Sequence, residues 1–318
     1  MVTSLINGKN GLLFTYGITG SGKTYTLGGT SSEPGILPRC VNTIYNSIKE
    51  NLAPPGTIRL DKNGQVELTV ETRAALSTPK SYRKNVTICE TPACLRRGNA
   101  ENDVDKNFVF ALFISMVEIY NNNIYDLFDD NFEHSTVTRP PTSKILRENN
   151  IHGIFIPGLV YVPVRSVSEA LTYYRKGKKR RKIAETVLNS QSSRSHCVFT
   201  IYLVQMERSV DKGNRNGTLS QLSLCDLAGS ERMYRTQNEG DRQKESSSIN
   251  SSLMTLRSCI EVLRENQRSF TKSANARLVP YRESRLTLMF RNFFEGEGKI
   301  RMILCLNPIP GDFEENIH

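Results

Sequence analysis

Gly17-Ile18-Thr19-Gly20-Ser21-Gly22-Lys23-Thr24 fits G-x-x-x-x-G-K-[ST] at every fixed position. Glycine at these points lets successive backbone N–H groups turn toward one centre, a cradle for phosphate oxygens that a Cβ would obstruct. Lys23 carries a mobile positive charge suited to β- and γ-phosphates, and the Thr24 hydroxyl is suited to Mg²⁺. Tyr25 follows directly and is grouped with these nucleotide-contacting residues. A second stretch, Leu222-Ser223-Leu224-Cys225-Asp226-Leu227-Ala228-Gly229, is an apolar run ending in a carboxylate. Asp226 is positioned for the Mg²⁺ shell, and Gly229 lets a backbone N–H approach a terminal phosphate. A third, Asn189-Ser190-Gln191-Ser192-Ser193-Arg194-Ser195-His196, clusters hydroxyls around one arginine. Those hydroxyls suit Mg²⁺-bound water and phosphate oxygens, and Arg194 suits charge neutralisation or a carboxylate partner. A serine-rich loop joining a helix to a strand explains that third stretch equally well on composition alone.

Such groups act only if regular elements hold them. Leu12 to Tyr16 is a short apolar run expected to form a buried parallel strand, and a helix is expected to begin near Gly22, its N-terminal dipole toward the anion. A helical face follows at Cys40, Val41, Ile44, Tyr45 and Ile48. Phe108 to Tyr120 is the longest strand-like run; Asn121-Asn122-Asn123 is expected to turn it into Ile124 to Phe128. Ser166 to Leu188 reads as a helix capped by Ser166, with Val167, Ala170, Leu171 and Tyr174 on one face. Cys197 to Met206 and Leu219 to Cys225 read as strands joined through Lys212 to Gly217. Ile249, Leu253, Leu256, Ile260 and Leu263 recur at helical spacing, and a shorter helix over Tyr281 to Phe290 precedes a last apolar strand at Ile300 to Leu306. Between Ala53 and Lys106, turn dipeptides and a poor apolar pattern indicate a long, partly mobile surface insertion inside one domain, with one short strand at Val66 to Val70. Thr78-Pro79 and Thr91-Pro92 within it fit proline-directed phosphorylation, although such dipeptides also simply mark turns.

The 318 residues suffice for one large α/β domain or two smaller ones, and 38% hydrophobic with 23% charged content is that of an ordinary globular protein. No apolar run is long enough to span a bilayer, and the N-terminus has no signal-peptide pattern. Seven cysteines, without C-x-x-C pairs, read as buried reduced thiols of a cytosolic or nuclear protein. A net charge of +10 implies an acidic partner. Arg175 to Lys182 holds seven basic residues in eight. A solvated, self-repelling face is the preferred reading there, ahead of a nuclear-localisation or nucleic-acid patch.

The three nucleotide motifs in this order resemble the motor domain of kinesins. The likeness extends through Phe113 to Asn121, Tyr125-Asp126-Leu127, Ile249-Asn250 with Leu253, and Val279 to Thr287, nearly the whole chain. The long insertion, Lys178 to Ala184, and Ser252 to Arg257 running on to Asn266 resemble the mitotic, centralspindlin branch, kinesin-6. The resemblance implies an α/β P-loop NTPase fold, with a mostly parallel or mixed central sheet flanked by helices. It implies ATP and Mg²⁺ as ligands, with Thr24, Ser193 and Asp226 (through water) at the metal. Ser192 and Ser193 would stand beside the γ-phosphate, Arg194 would pair with Glu231 when the two loops close, and Asn250 would help hold the water relay to Glu231.

It further implies a microtubule face that includes Arg235, Arg257, Arg264, Lys272, Arg282 and Arg285. From Arg232 to Arg285 eleven basic residues stand against six acidic ones, which suits the acidic surface of tubulin. By the same resemblance the protein acts in the spindle midzone and midbody during cytokinesis, enters the nucleus in interphase, dimerises through a coiled coil outside this chain and partners a Rho-GAP, with no membrane or nucleic-acid ligand. Kinesin motor domains carry a further strand region and an adenine contact ahead of the phosphate loop, and a last helix and neck linker after it. The chain is therefore expected to form one incomplete motor domain, with unpaired edges inside the sheet and an incomplete base pocket. The competing reading is a microtubule-binding scaffold with weak or lost ATPase. No N-K-x-D guanine-reading motif is present, which disfavours a GTPase.

Overall fold

The computed structural model describes residues 1–68, 107–134, 141–149, 153–187, 194–208, 217–231, 241–269 and 276–317. The phosphate-loop strand, β1 (Gly11–Tyr16), is hydrogen-bonded on both flanks, parallel to β10 (Gly217–Asp226) and to β11 (Lys299–Leu304). Beyond β10 the order continues through β9 (His196–Glu207), β4 (Phe108–Tyr120) and β5 (Asn123–Asp126), and these pairings are antiparallel. The short β8 (Val162–Val164) also pairs with β4. The sheet is thus mixed, parallel around β1 and antiparallel elsewhere.

Side chains alternate across a strand, so each face of β1 belongs to a different core. Leu13 faces α3 (Ile36–Ile48) and α4 (Val167–Val187), packing with Val41, Ile44, Ile48, Ala170 and Leu171. Leu12 and Phe14 face the opposite way, toward α5 (Asp241–Ser269) and α6 (Arg285–Glu295), where Leu253, Leu256, Leu286 and Phe290 close over them. Each such fully buried aliphatic or aromatic side chain contributes ~1.5–3 kcal/mol. Helices on both faces therefore clamp the strand that carries the phosphate loop.

Ser166 caps α4 by accepting from the Glu169 N–H at 3.0 Å, and Asn121 and Asn122 take positive φ (48° and 58°) in the β4–β5 turn. Both follow the sequence reading. Residues 69–106, with both Thr-Pro pairs, Cys89 and Cys94, lie outside the described residues, as do 209–216. The start of the expected surface insertion is built into the body of the protein. Ala53, whose N–H donates to the Phe110 carbonyl at 2.8 Å, and Ile58 of a hairpin formed by β2 (Ile58–Leu60) and β3 (Val66–Leu68) cluster with Val109, Phe113, Val204 and Met206. β11 covers one flank of β1, and among the described residues β11 is itself the open edge of the sheet, where Met302 and Leu304 are exposed. Among the described cysteines, Cys197, Cys225, Cys259 and Cys305 are buried, Cys40 is half-buried, and all are free thiols.

Candidate nucleotide site

Parallel pairing sets Thr15 of β1 opposite Asp226 of β10, so both strands end at one place and deliver their following loops side by side. The loop after β1 bends through Gly20 and Gly22 at φ 82° and 92°, and a Cβ on Gly17 would run into the carbonyl of Cys305. These positions need glycine for conformation and for close approach. Helix α2 (Lys23–Gly28) then starts at the lysine itself.

Lys23 is 7% exposed, and its Nζ donates to the carbonyls of Gly17 (2.8 Å) and Ile18 (2.7 Å). Burial pulls its ammonium below the usual lysine range, while the carboxylates of Asp226 and Glu231 oppose that shift. The neighbouring Thr24 hydroxyl donates to Asp226 Oδ2 at 2.7 Å. Asp226 Oδ1 and Ser21 Oγ are buried without a hydrogen-bond partner. Buried polar atoms are ordinarily paired, so an unpaired carboxylate oxygen beside a threonine hydroxyl has the donor chemistry of a hydrated Mg²⁺ site, and Ser21 fits a phosphate contact.

The loop after β10 returns to the same cradle. Ser230 N–H donates to the Gly17 carbonyl at 3.2 Å, and the Glu231 carboxylate accepts from the Thr19 N–H (2.9 Å) and from the Thr19 hydroxyl (2.6 Å). A Cβ at Gly229 would meet the Glu231 carboxylate and the Thr19 hydroxyl as they stand here, so the Glu231–Thr19 contact lies directly against this glycine. The expected Arg194–Glu231 pair is not formed in this conformation. Both Glu231 oxygens are on Thr19, whereas Arg194 borders a small recess with Asn121, Asn122, His196, Ser252 and Ser284. The physical reason is that the Thr19 N–H and hydroxyl offer two donors to a nearby anion, and Glu231 takes both. Ser192 and Ser193 lie outside the described residues, and Asn250 is half-buried on α5.

One group at the site escaped the sequence reading. Arg180 and Arg181 of the basic run are buried, 2% and 7% exposed, so the fully solvated face expected there is corrected at these two positions. Arg180 donates to the Leu127 carbonyl at 3.0 Å and reaches Asp130 at 3.3 Å. Arg181 spans the site: Nη1 to Asp226 Oδ2 (3.2 Å), Nη2 to the Ser195 carbonyl (3.0 Å), and Nε to Glu118 Oε1 (3.4 Å). The Ser195 hydroxyl in turn donates to Glu118 Oε1 at 2.5 Å. The signal was present in the helical period, since the inward series Val167, Ala170, Leu171, Tyr174 continues through Gly177 to Arg181.

Of the expected microtubule contacts, Arg257, Arg264 and Arg282 are exposed and Arg285 is half-buried at the start of α6; Arg235 and Lys272 lie outside the described residues. Arg257 pairs with Glu261 at 2.9 Å, and Arg282 with Glu148 at 3.1 Å, so their charge is partly offset within the chain.

The family model described as the kinesin motor domain matches residues 1–318. Mouse kinesin-like protein KIF23 is 45% identical over 335 aligned residues, which cover all of this chain and 34% of the mouse protein. The chain therefore spans about a third of that relative's length. A solved structure described as kinesin 6 superposes with a TM-score of 0.78 at 38% identity, over 99% of this chain and 81% of that one. A second, KIF14 with ADP in complex with a microtubule, gives a TM-score of 0.69 at 28% identity, over 99% of this chain and 71% of that one. With a phosphate cradle, a carboxylate and a second loop meeting at the ends of β1 and β10, and with similarity over its whole length, this chain belongs to the kinesin motor domain family.

Proposed function

We propose that the chain is the ATP-hydrolysing, microtubule-coupled part of a mitotic kinesin of the kinesin-6 type. The observation that carries this reading is the meeting of Lys23, Thr24 and Asp226, with one Asp226 oxygen buried and unpaired, beside a loop whose Thr19 N–H and hydroxyl already hold a carboxylate. Gly17 to Tyr25 would hold the nucleotide phosphates, and Thr24, Ser193 and Asp226 would hold Mg²⁺, Asp226 through water. The metal, when bound, would neutralise charge on the β- and γ-phosphates.

Phosphate oxygens entering the loop compete with Glu231 for the Thr19 N–H, because both are anions seeking the same donor. Released from Thr19, Glu231 becomes available to Arg194, and that pair would fix both loops around the terminal phosphate. Glu231 then accepts the proton of the attacking water through a relay held by Asn250, while the Gly229 N–H approaches the departing phosphate. Hydrolysis of this kind depends on positioning and charge rather than covalent chemistry. The exposed arginines of α5 and the stretch before α6, with Arg235 and Lys272, form the tubulin face. KIF14's ADP and microtubule complex supports the same pairing of ligands here.

By resemblance, the whole protein works at the spindle midzone and midbody in cytokinesis, resides in the nucleus in interphase, dimerises through a coiled coil outside this chain and partners a Rho-GAP. Steady-state ATP turnover with and without microtubules, on this chain and on one extended at both ends, tests the reading. Turnover raised by microtubules supports it. Microtubule pelleting without turnover in either form would instead establish a scaffold.

A further inference from the structure

His196 is the first residue of β9 and is 3% exposed. Its Nδ1 accepts the N–H of Ala228 at 3.0 Å, and its Nε2 lies 2.9 Å from the hydroxyl of Ser252. An amide N–H can only donate, so Nδ1 must be the bare nitrogen and, in the neutral ring, Nε2 carries the hydrogen and donates to Ser252. Ala228 sits between Asp226 and Gly229 in the loop at the nucleotide site, and Ser252 sits on α5, one residue before the buried Leu253 and five before the exposed Arg257. One rigid ring thus touches both the loop that faces the phosphate and the helix that carries the expected track contacts.

We propose that His196 is a positioning residue that couples the Asp226–Gly229 loop to helix α5, transmitting nucleotide state toward the microtubule face through the Ala228–His196–Ser252 chain of hydrogen bonds. The inference rests on the motor reading above and adds to it the element that carries the signal. A planar imidazole has no internal rotation by which to absorb a displacement. When the Ala228 amide moves, either Ser252 and its helix follow or a buried hydrogen bond breaks. Ala228 is fully buried, so an amide left unmet there costs ~1–3 kcal/mol, which makes following the favoured outcome. Burial and the nearby Arg181 guanidinium both keep the ring neutral, as this tautomer requires. Linkage then demands that microtubule contact on α5 bias the loop as strongly as nucleotide biases α5.

Ser252→Ala removes the helix-side bond to His196 at a half-buried helical position. In the chain extended at both ends, the expected result is basal ATP turnover within ~2-fold of wild type but microtubule stimulation reduced at least ~5-fold, the lower end of ordinary coupling. Ser252→Thr keeps the hydroxyl and restores stimulation. His196→Asn, whose side-chain oxygen can still meet Ala228 but which cannot reach Ser252, lowers the stimulation ratio as Ser252→Ala does. Wild-type stimulation retained in both Ser252→Ala and His196→Asn overturns the proposal. Equal loss in Ser252→Thr and Ser252→Ala overturns it too, since packing rather than the bond would then be responsible. If wild type itself shows no stimulation, the motor reading fails first, and the two failures are told apart by that control.

Discussion

The carboxylate of Glu231 accepts both the N–H and the hydroxyl of Thr19, so an acidic side chain occupies donors of the loop proposed to receive phosphate. A group in that place has two consequences when it is removed. The donors of Thr19 become available to the nucleotide, and the proton acceptor of the proposed hydrolysis is lost. Glu231→Ala is therefore expected to bind ATP at least as tightly as wild type while hydrolysing it at least ~100-fold more slowly, the effect of losing an acid–base group. Equilibrium binding of a fluorescent nucleotide beside single-turnover hydrolysis separates the two. Near-normal turnover would remove Glu231 from the mechanism.

Arg181 makes a different demand. Its guanidinium lies between Glu118, which is fully buried, and Asp226, and it also holds Ser195. Removing one partner from such a set leaves charge buried without compensation, at a cost of ~3–5 kcal/mol. Arg181→Ala should lose that much stability in urea unfolding, and Arg181→Lys should recover only part of it, because an ammonium cannot reproduce the planar fork. A loss under 1 kcal/mol for Arg181→Ala would mean that water replaces the guanidinium freely.

These two residues also show how far the sequence could be read. The phosphate loop, Asp226 and the elements around them were legible because motif, strand and helix period agree in one short stretch, and no distant contact was needed to interpret them. Glu231 and Arg181 could not be placed in that way. The Thr19 contact of Glu231 joins residues 212 apart, and nothing local in either segment specifies it. Arg181 sits inside a run of like charge whose composition argues for solvent, and only the helical period separates it from its exposed neighbours. The edge position of β11 likewise follows from sheet order, which is a long-range property.

Charge on the track side gives the third expectation. Arg282 is exposed, and Arg285 opens α6 with its N–H on the Asn122 side-chain oxygen at 3.1 Å. Arg282→Glu or Arg285→Glu should weaken co-sedimentation with microtubules and leave nucleotide affinity unchanged, since neither side chain contacts the phosphate loop. Wild-type binding should itself weaken from 50 to 200 mM salt, because exposed charges are screened over ~8–10 Å near physiological ionic strength. Arg282→Glu additionally sets two carboxylates together at Glu148, although Arg291 remains 2.6 Å from Glu148 to limit that repulsion. Unchanged pelleting by both variants would move the track face elsewhere.

The last expectation concerns acid. Burial, aided by Arg181, depresses His196 to about 3 from its ordinary value of 6.5. Between these values the unfolded chain binds a proton at this residue that the folded chain refuses, so stability must rise with pH across that window. The contribution is fully present above pH 6.5 and is lost progressively as pH falls toward 3, at up to ~1.4 kcal/mol per pH unit from this one group. Urea unfolding of wild type at pH 7.0, 6.0 and 5.0 should show the decline. His196→Gln, which cannot titrate, starts from a lower stability at pH 7 because the Ala228 amide is less well met, and it should lose less over the same interval. A variant whose stability falls in parallel with wild type would assign the acid sensitivity to groups other than His196.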